Sequence, residues 1–205
     1  MGGSRKIYAV MNNVKNIAEG KDVPLQFFQK HVYDALKSLW QLDDTTFEGY
    51  GRVYKNTNDK GYVPEVLVSS AAANNTTYKP VVFDKTALSA MFFLTVGDKA
   101  EIKLGNETVS VSLIVICNLA LIKQSVPHRA DEEVMKDVLR VLTVNVPGNF
   151  KVKDSETGFR NVFREFSGLI NKDGEVFEDR HPLFCFRYNM TLIYNTRNCQ
   201  TLSIN

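Results

Sequence analysis

Two stretches of this chain alternate with period two over a length that few small domains can use. In HPLFCFRYNMTLIYN, residues 181–195, the even positions read Phe184, Phe186, Tyr188, Met190, Leu192 and Tyr194, while Cys185, Arg187, Asn189, Thr191 and Asn195 between them are mostly polar. Such alternation sends successive side chains to opposite faces and marks a half-buried strand, not a helix. At about 3.3 Å per residue, about a dozen residues span roughly 40 Å, about twice an ordinary strand. In TVSVSLIVICNLALIK the odd positions Val109, Val111, Leu113, Val115, Cys117, Leu119 and Leu121 form a second apolar row. Its even positions change from Ser110 and Ser112 to Ile114, Ile116, Asn118, Ala120 and Ile122. The first half therefore reads as one-sided and the second as buried on both faces, at the centre of a sheet.

Helical spacing occurs in three places. KIYAVMNNVKNIA carries Ile7, Val10, Met11, Val14, Ile17 and Ala18 on one stripe, so residues 1–20 read as an N-terminal arm or short helix. After Pro24, LQFFQKHVYDALKSLWQL puts Leu25, Phe28, Val32, Ala35, Leu36 and Leu39 on one face. RADEEVMKDVLRVL opens with Asp131, Glu132 and Glu133, which suit the positive end of a helix dipole, and stripes Val134, Met135, Val138, Leu139, Val141 and Leu142. GFRNVFREFSGL reads either as a helix with Val162, Phe163 and Phe166 inward or as a bent strand.

Strand signals fill much of the rest. FEGYGRVYKN, GYVPEVLVSS, YKPVVFD and SAMFFLTV read as strands, with Pro64 pushing the second to a sheet edge or an irregular course. AAANNTT reads as a loop, Gly105-Asn106 as a hairpin signal, PGNFKVKDSETG as a break, and NKDGEVFEDRHP as a turn-rich connection. The expected fold is α+β, a mixed and mainly antiparallel sheet with long strands and hairpins and with helices packed on one face. No linker divides the chain, so residues 21–205 are expected to form a single domain.

Composition narrows the function. At 205 residues, 44% hydrophobic, the chain can bury a sizeable core, and a formal net charge of +2 from scattered residues leaves no electrostatic footprint for nucleic acid. The odd set Cys117, Cys185 and Cys199 contains no CxxC and reads as reduced and structural. MGGSRK lacks a signal core and no apolar run approaches the ~18 residues of a span, so synthesis and assembly in a host cytoplasm, away from membrane, are expected.

Phosphate-loop, dinucleotide, zinc-protease, nucleophile-elbow and EF-hand patterns are all missing. His31, His128 and His181 are too dispersed to suggest a ligand pair. Asp43-Asp44 and Asp131–Glu133 stand at helix ends, where carboxylates solvate and cap. Arg160 and Arg164 amid aromatics are a weak phosphate or RNA signal. No catalytic residue, cofactor or metal is expected.

The order of helix, hairpin, long strand, acid-started helix and long terminal strand resembles the tail-terminator and tail-completion proteins of tailed bacteriophages. The likeness is carried by PLQFFQKHVYDALKSLW, TVSVSLIVICNLALI, RADEEVMKDVLRVL and HPLFCFRYNMTLIY, about half of the chain. Relative to a minimal member, residues near 49–93 and 151–180 look like insertions. GRVYKNTNDKGYVPEVLV is similar in style to structural proteins of large Bacteroides-type phages, including the neck and tail ring proteins of crAss-like phages.

The resemblance implies a virion structural protein, not an enzyme: a subunit in a ring of about six or twelve copies that joins portal side to tail and leaves a DNA channel. Its implied partners are itself, neighbouring neck, tail or portal proteins, and DNA passing without sequence-specific binding. Polar loops such as AAANNTT and SETG would meet other rings. Phe184, Phe186, Tyr188, Leu192 and Tyr194 are the expected oligomer interface, since strands that outrun their own core can cover a neighbour's sheet. The alternatives are long strands that bend across one larger core, and, for function, a small enzyme or nucleic-acid-handling factor.

Overall fold

The structure, a computed structural model, describes residues 22–58, 61–70, 75–124, 130–144, 146, 149–169 and 181–195. The expected arm 1–20, His128, Cys199 and residues 171–180 lie outside them. The chain is α+β, with a mixed and mostly antiparallel sheet. Its elements are α1 (Asp22–Leu39), β1 (Phe47–Arg52), β2 (Tyr54–Asn58), β3 (Gly61–Ser70), β4 (Asn75–Pro80), β5 (Ala90–Lys103), β6 (Asn106–Asn118), α2 (Leu119–Ile122), α3 (Asp131–Thr143), β7 (Asn149–Thr157), α4 (Phe159–Val162) and β8 (Leu183–Asn195).

The main sheet has five strands in the order β1-β5-β6-β8-β7, so β6 is central, and β2-β3-β4 form a separate three-stranded sheet. Only β1 runs parallel to its neighbour, pairing Phe47 with Ala90 and Gly49 with Phe92. Gly49 has no room for a side chain: a Cβ there would stand 2.5 Å from the Phe92 ring and 2.7 Å from Tyr33. β6 and β8 pair along their whole length, from Asn106 with Asn195 to Asn118 with Leu183.

Alternation along these strands builds two cores. One face holds Phe92, Leu94, Val111, Leu113, Val115, Phe186, Met190 and Leu192 against α1 and α3. The other holds Met91, Phe93, Ile114, Ile116 and Cys185 against Phe159, Val162, Phe163 and Phe166. The two longer helices thus share one face, while the aromatic FRNVFREF segment covers the other as a single turn of helix followed by a 3-10 turn at Ser167–Leu169. Because β6 is sandwiched, Val111–Cys117 is buried without interruption.

Several elements depart from expectation for physical reasons. The apolar run after Asn118 leaves the strand and turns into α2, because the Asn118 side chain caps it by accepting from the Ala120 amide at 3.1 Å. PGNFKVKDSETG contains β7, an edge strand whose half-buried Phe150 and Val152 are masked by the charges that protect an open edge. Pro64 lies in β3, the middle strand of its sheet, not an edge. It is tolerated because its carbonyl accepts from Val81 at 2.9 Å just past the last β3–β4 pair, so its missing N–H falls at the end of that ladder. In β4 the strand is Asn75–Pro80, earlier than YKPVVFD suggested. Leu39 is 41% exposed, and Trp40, in the turn that follows α1, fills the core in its place.

Candidate functional site

The even-numbered row of β8 is the first place to look, and the structure spends it inside the chain. Phe186 and Leu192 are wholly inaccessible, and Phe184 and Tyr188 are buried with them. Phe186 stacks on Phe184 and meets Tyr188 edge-on, at centroid distances of 5.5 and 5.8 Å. The Tyr188 hydroxyl donates to the Met135 carbonyl of α3 at 2.8 Å, and burial raises its pKa. Tyr194 packs half-buried on the same core. The expected interface at Phe184, Phe186, Tyr188 and Leu192 is therefore corrected: these side chains are buried in the core that the sheet shares with α1 and α3, and the long strand is accommodated by a core that runs nearly its full length.

The opposite face of β8 carries the polar chemistry. Arg187 is 5% exposed. Its Nε donates to Asn189 Oδ1 at 2.8 Å, and its NH2 donates to Ser112 Oγ at 2.7 Å and Glu165 Oε1 at 2.6 Å. Ser112 in turn donates to Asn189, whose amide nitrogen donates to Asp154 and Glu156, and Arg164 pairs with Glu156. Burial pushes the Glu156 carboxyl upward, but the hydrogen bonds from Arg164 and Asn189 and the nearby Arg187 charge win, and it titrates below the ordinary range. Beside this network lies an open cleft of about 430 Å³ lined by Arg52, Tyr54, Lys55, Thr95, Ser112 and Glu165, among others. Among the described residues no buried side-chain nitrogen or oxygen lacks a partner, so the polar groups at the cleft floor are engaged with one another. Sequence reading missed Arg187 because a charged residue at an odd position of β8 looks like a solvated one. Glu165 and Glu156 lie in segments whose structure was not legible.

The Asp43-Asp44 pair fastens the turn that follows α1. Asp43 Oδ1 accepts from the Thr45 hydroxyl at 2.6 Å and from the Thr45 and Thr46 amides at 2.8 and 3.0 Å. Those bonds lower its pKa to about 2. Asp44 accepts from Lys37 and from the Tyr33 hydroxyl, and its pKa is lowered in consequence. A carboxyl lowered in the folded state binds fewer protons than the unfolded chain, so it contributes stability above its unfolded pKa that disappears as pH falls through the folded value. The Asp43 contribution is expected to fade between the ordinary 3.8 and about 2. Urea midpoints taken from pH 5 to pH 2 should fall, and Asp43→Asn should flatten that descent.

His31 Nε2 lies 3.4 Å from the Val141 carbonyl, and His181 is exposed at the start of β8. Cys117 and Cys185 are buried and outside any disulfide, and burial drives the Cys117 pKa well up, away from reactivity. Among the described residues no group of three or more His, Cys, Asp or Glu could hold a metal ion, and no helix is long and apolar enough to cross a membrane.

What stands out is the hairpin of β5 and β6. β1 leaves β5 at Leu94, and from Gly97 to Leu104 every residue is exposed. The turn is Leu104-Gly105, closed by the Lys103–Asn106 pair, one residue before the expected Gly105-Asn106. Ile102 is 69% exposed and Leu104 fully so. Leu104 has φ of +50° and Gly105 of +81°, the left-handed pair that two-residue hairpin turns need and that Asn, Asp or Gly fill best. Leucine there is disfavoured both by its conformation and by its exposure to water. Leu104→Asn is expected to stabilise the isolated chain by about 1 kcal/mol in urea unfolding. No protein-family model matches the chain, and no curated protein matches it.

Proposed function

We propose that the chain is a non-catalytic structural subunit of a homo-oligomeric ring in the neck or tail of a tailed phage, joining portal side to tail and leaving a channel for DNA. The observation that carries the assembly part of this reading is the hairpin, which runs beyond its own core and ends in exposed Ile102 and Leu104. Projecting apolar residues on a rigid turn are unfavourable in a free monomer and become favourable when a neighbour covers them. The phage part is supported by the resemblance of element order. Its helix, long central strand, acid-started helix and long terminal strand lie at α1, β6, α3 and β8.

Light scattering over a range of concentrations, with negative-stain images, tests the reading. Closed rings, alone or with a neck or tail partner from the same particle, are the expected result. A monomer at every concentration and with every such partner would overturn it. The polar cleft beside Arg187 supports a second reading, a small ligand-binding factor or enzyme. That reading predicts that some class of small molecule raises the unfolding temperature, and that Lys55→Ala abolishes the shift.

A further inference from the structure

The far half of β5 is an open sheet edge. β1 leaves it at Leu94, and among the described residues no strand pairs with the outer side of Gly97–Lys103, while β6 holds the inner side as far as Lys103. The turn beyond decides which backbone groups face outward. With positive φ at both Leu104 and Gly105, it is the two-residue turn that closes on a hydrogen-bonded pair, here Lys103 with Asn106. Antiparallel ladders alternate bonded and unbonded pairs, so Lys103 and Glu101 turn their amides and carbonyls to β6, and Ile102 between them turns both of its own outward. A two-fold antiparallel joint needs such a residue at its centre.

The side chains select the same centre. Pairing this edge with its own copy about Ile102 sets Ile102 against Ile102, Glu101 against Lys103 and Lys103 against Glu101, with Leu104 beside Ala100. Apolar residues meet apolar ones and each charge meets its opposite. Glu101 and Lys103 already pair within one copy, and the joint keeps those pairs and adds two across it, so that four charges alternate. A centre at Glu101 would set Glu101 against itself and Lys99 against Lys103, and a centre at Ala100 would set Asp98 against Ile102. Glu107 stands on β6, one strand away from the joint. The edge at the other end of the sheet lacks this self-complementarity: pairing β7 with its own copy about Val152 sets Lys151 against Lys153, as a guarded edge does.

We infer that two copies of the chain join edge to edge along β5, about a two-fold axis at Ile102, so that their five-stranded sheets become one continuous sheet. The inference rests on the reading of the hairpin as an element of self-association and names the surface that it meets. The 69% exposure of Ile102 is then covered by its own twin. The contact is isologous and closes at two copies, so a ring that contains it is assembled from pairs and uses a second surface to go round.

The test places single cysteines in the full chain under mild oxidation. Cys117 and Cys185 are buried, and Cys199→Ser removes the remaining native thiol. Ile102→Cys should give a disulfide-linked dimer, because residues opposed in a bonded pair stand about 5.5 Å apart between Cα atoms, within disulfide reach. Ala100→Cys, also exposed, should give none, because its twin lies roughly 13 Å further along the strand. In sedimentation at rising concentration, Glu101→Lys or Lys103→Glu should weaken dimerisation by about tenfold, since the two-fold axis counts each change twice. Both changes in one chain exchange the charges and should restore it. Linked dimers together with closed rings support both readings. Linked dimers without rings, alone or with a neck or tail partner, support the contact and remove the ring. Rings in which Ile102→Cys links no better than Ala100→Cys overturn the contact and leave the ring reading intact. A monomer that neither links nor associates overturns both.

Discussion

Replacing Tyr188 and Leu192 together by Asp is expected to leave the chain unfolded at 25 °C, with far-UV circular dichroism showing loss of the sheet. Both side chains lie in the core that β8 shares with α1 and α3, Leu192 wholly inaccessible and Tyr188 4% exposed. Removing the leucine side chain alone forfeits roughly 2–5 kcal/mol of burial and packing. Each aspartate then brings a carboxylate into an apolar core, opposite Leu113 at Tyr188 and opposite Val109 at Leu192, where an unpaired charge costs several kcal/mol more. The Tyr188 variant also leaves the Met135 carbonyl without its 2.8 Å donor, worth about another 1 kcal/mol. The sum, roughly 10–15 kcal/mol, is as large as the roughly 5–15 kcal/mol by which domains are stable. Were this row an exposed interface, the same substitutions would give a folded, soluble chain that merely fails to assemble. A native circular dichroism spectrum would therefore return the row to the surface. Tyr188→Phe, which removes only the hydroxyl, separates the two effects and should fold.

The elements legible in the sequence are those whose period is carried by many residues. β6 and β8 announce themselves through rows of six or seven alternating side chains, and α1 and α3 through stripes with acids or proline at their starts. The greasy row of β8, expected at a subunit interface, lies in the chain's own core, and the reason is physical. Period two shows that two faces differ, but not what covers each. In β8 the greasy face met the chain's own α3, and the polar face met a buried ion network, because FRNVFREF folds over the opposite side of the sheet and delivers Glu165 there. That docking is long-range: Arg187 and Glu165 are partners across a segment with no regular period of its own. β7 was missed for a related reason. Its apolar positions are only Phe150 and Val152, and the rest of the strand carries the lysines and acids appropriate to an edge. The hairpin tip was found almost in register from Gly105 alone, but Leu104 was not. A single leucine before a glycine has no pattern, and only the backbone angle and full exposure make it unusual.

Arg187→Ala is the substitution that decides whether the polar cleft is scaffold or site. The guanidinium binds Ser112 on β6, Asn189 on its own strand and Glu165 beyond α4, so it fastens the FRNVFREF cover to the middle of the sheet. Removing it leaves Glu165, at 34% exposure, without its buried cation and takes a nearby charge from Glu156, while Ser112 loses a donor. Breaking a buried pair on one side costs roughly 3–5 kcal/mol. For a chain of this size that corresponds to a fall in unfolding temperature of roughly 6–20 °C. Arg187→Lys should recover little of it, because an ammonium cannot reproduce the planar fork that reaches Asn189, Ser112 and Glu165 together. Replacing both partners, Arg187→Met with Glu165→Met, should recover more than half, since the desolvation of two charges disappears along with their attraction. This pattern of a large single loss, poor rescue by lysine and good rescue by a paired apolar change is what a structural clamp produces. A group that serves a ligand gives the reverse, an unfolding temperature hardly altered by Arg187→Ala and a ligand-induced shift abolished by it. The thermal scan of these three variants thus decides whether Arg187 is a scaffold group.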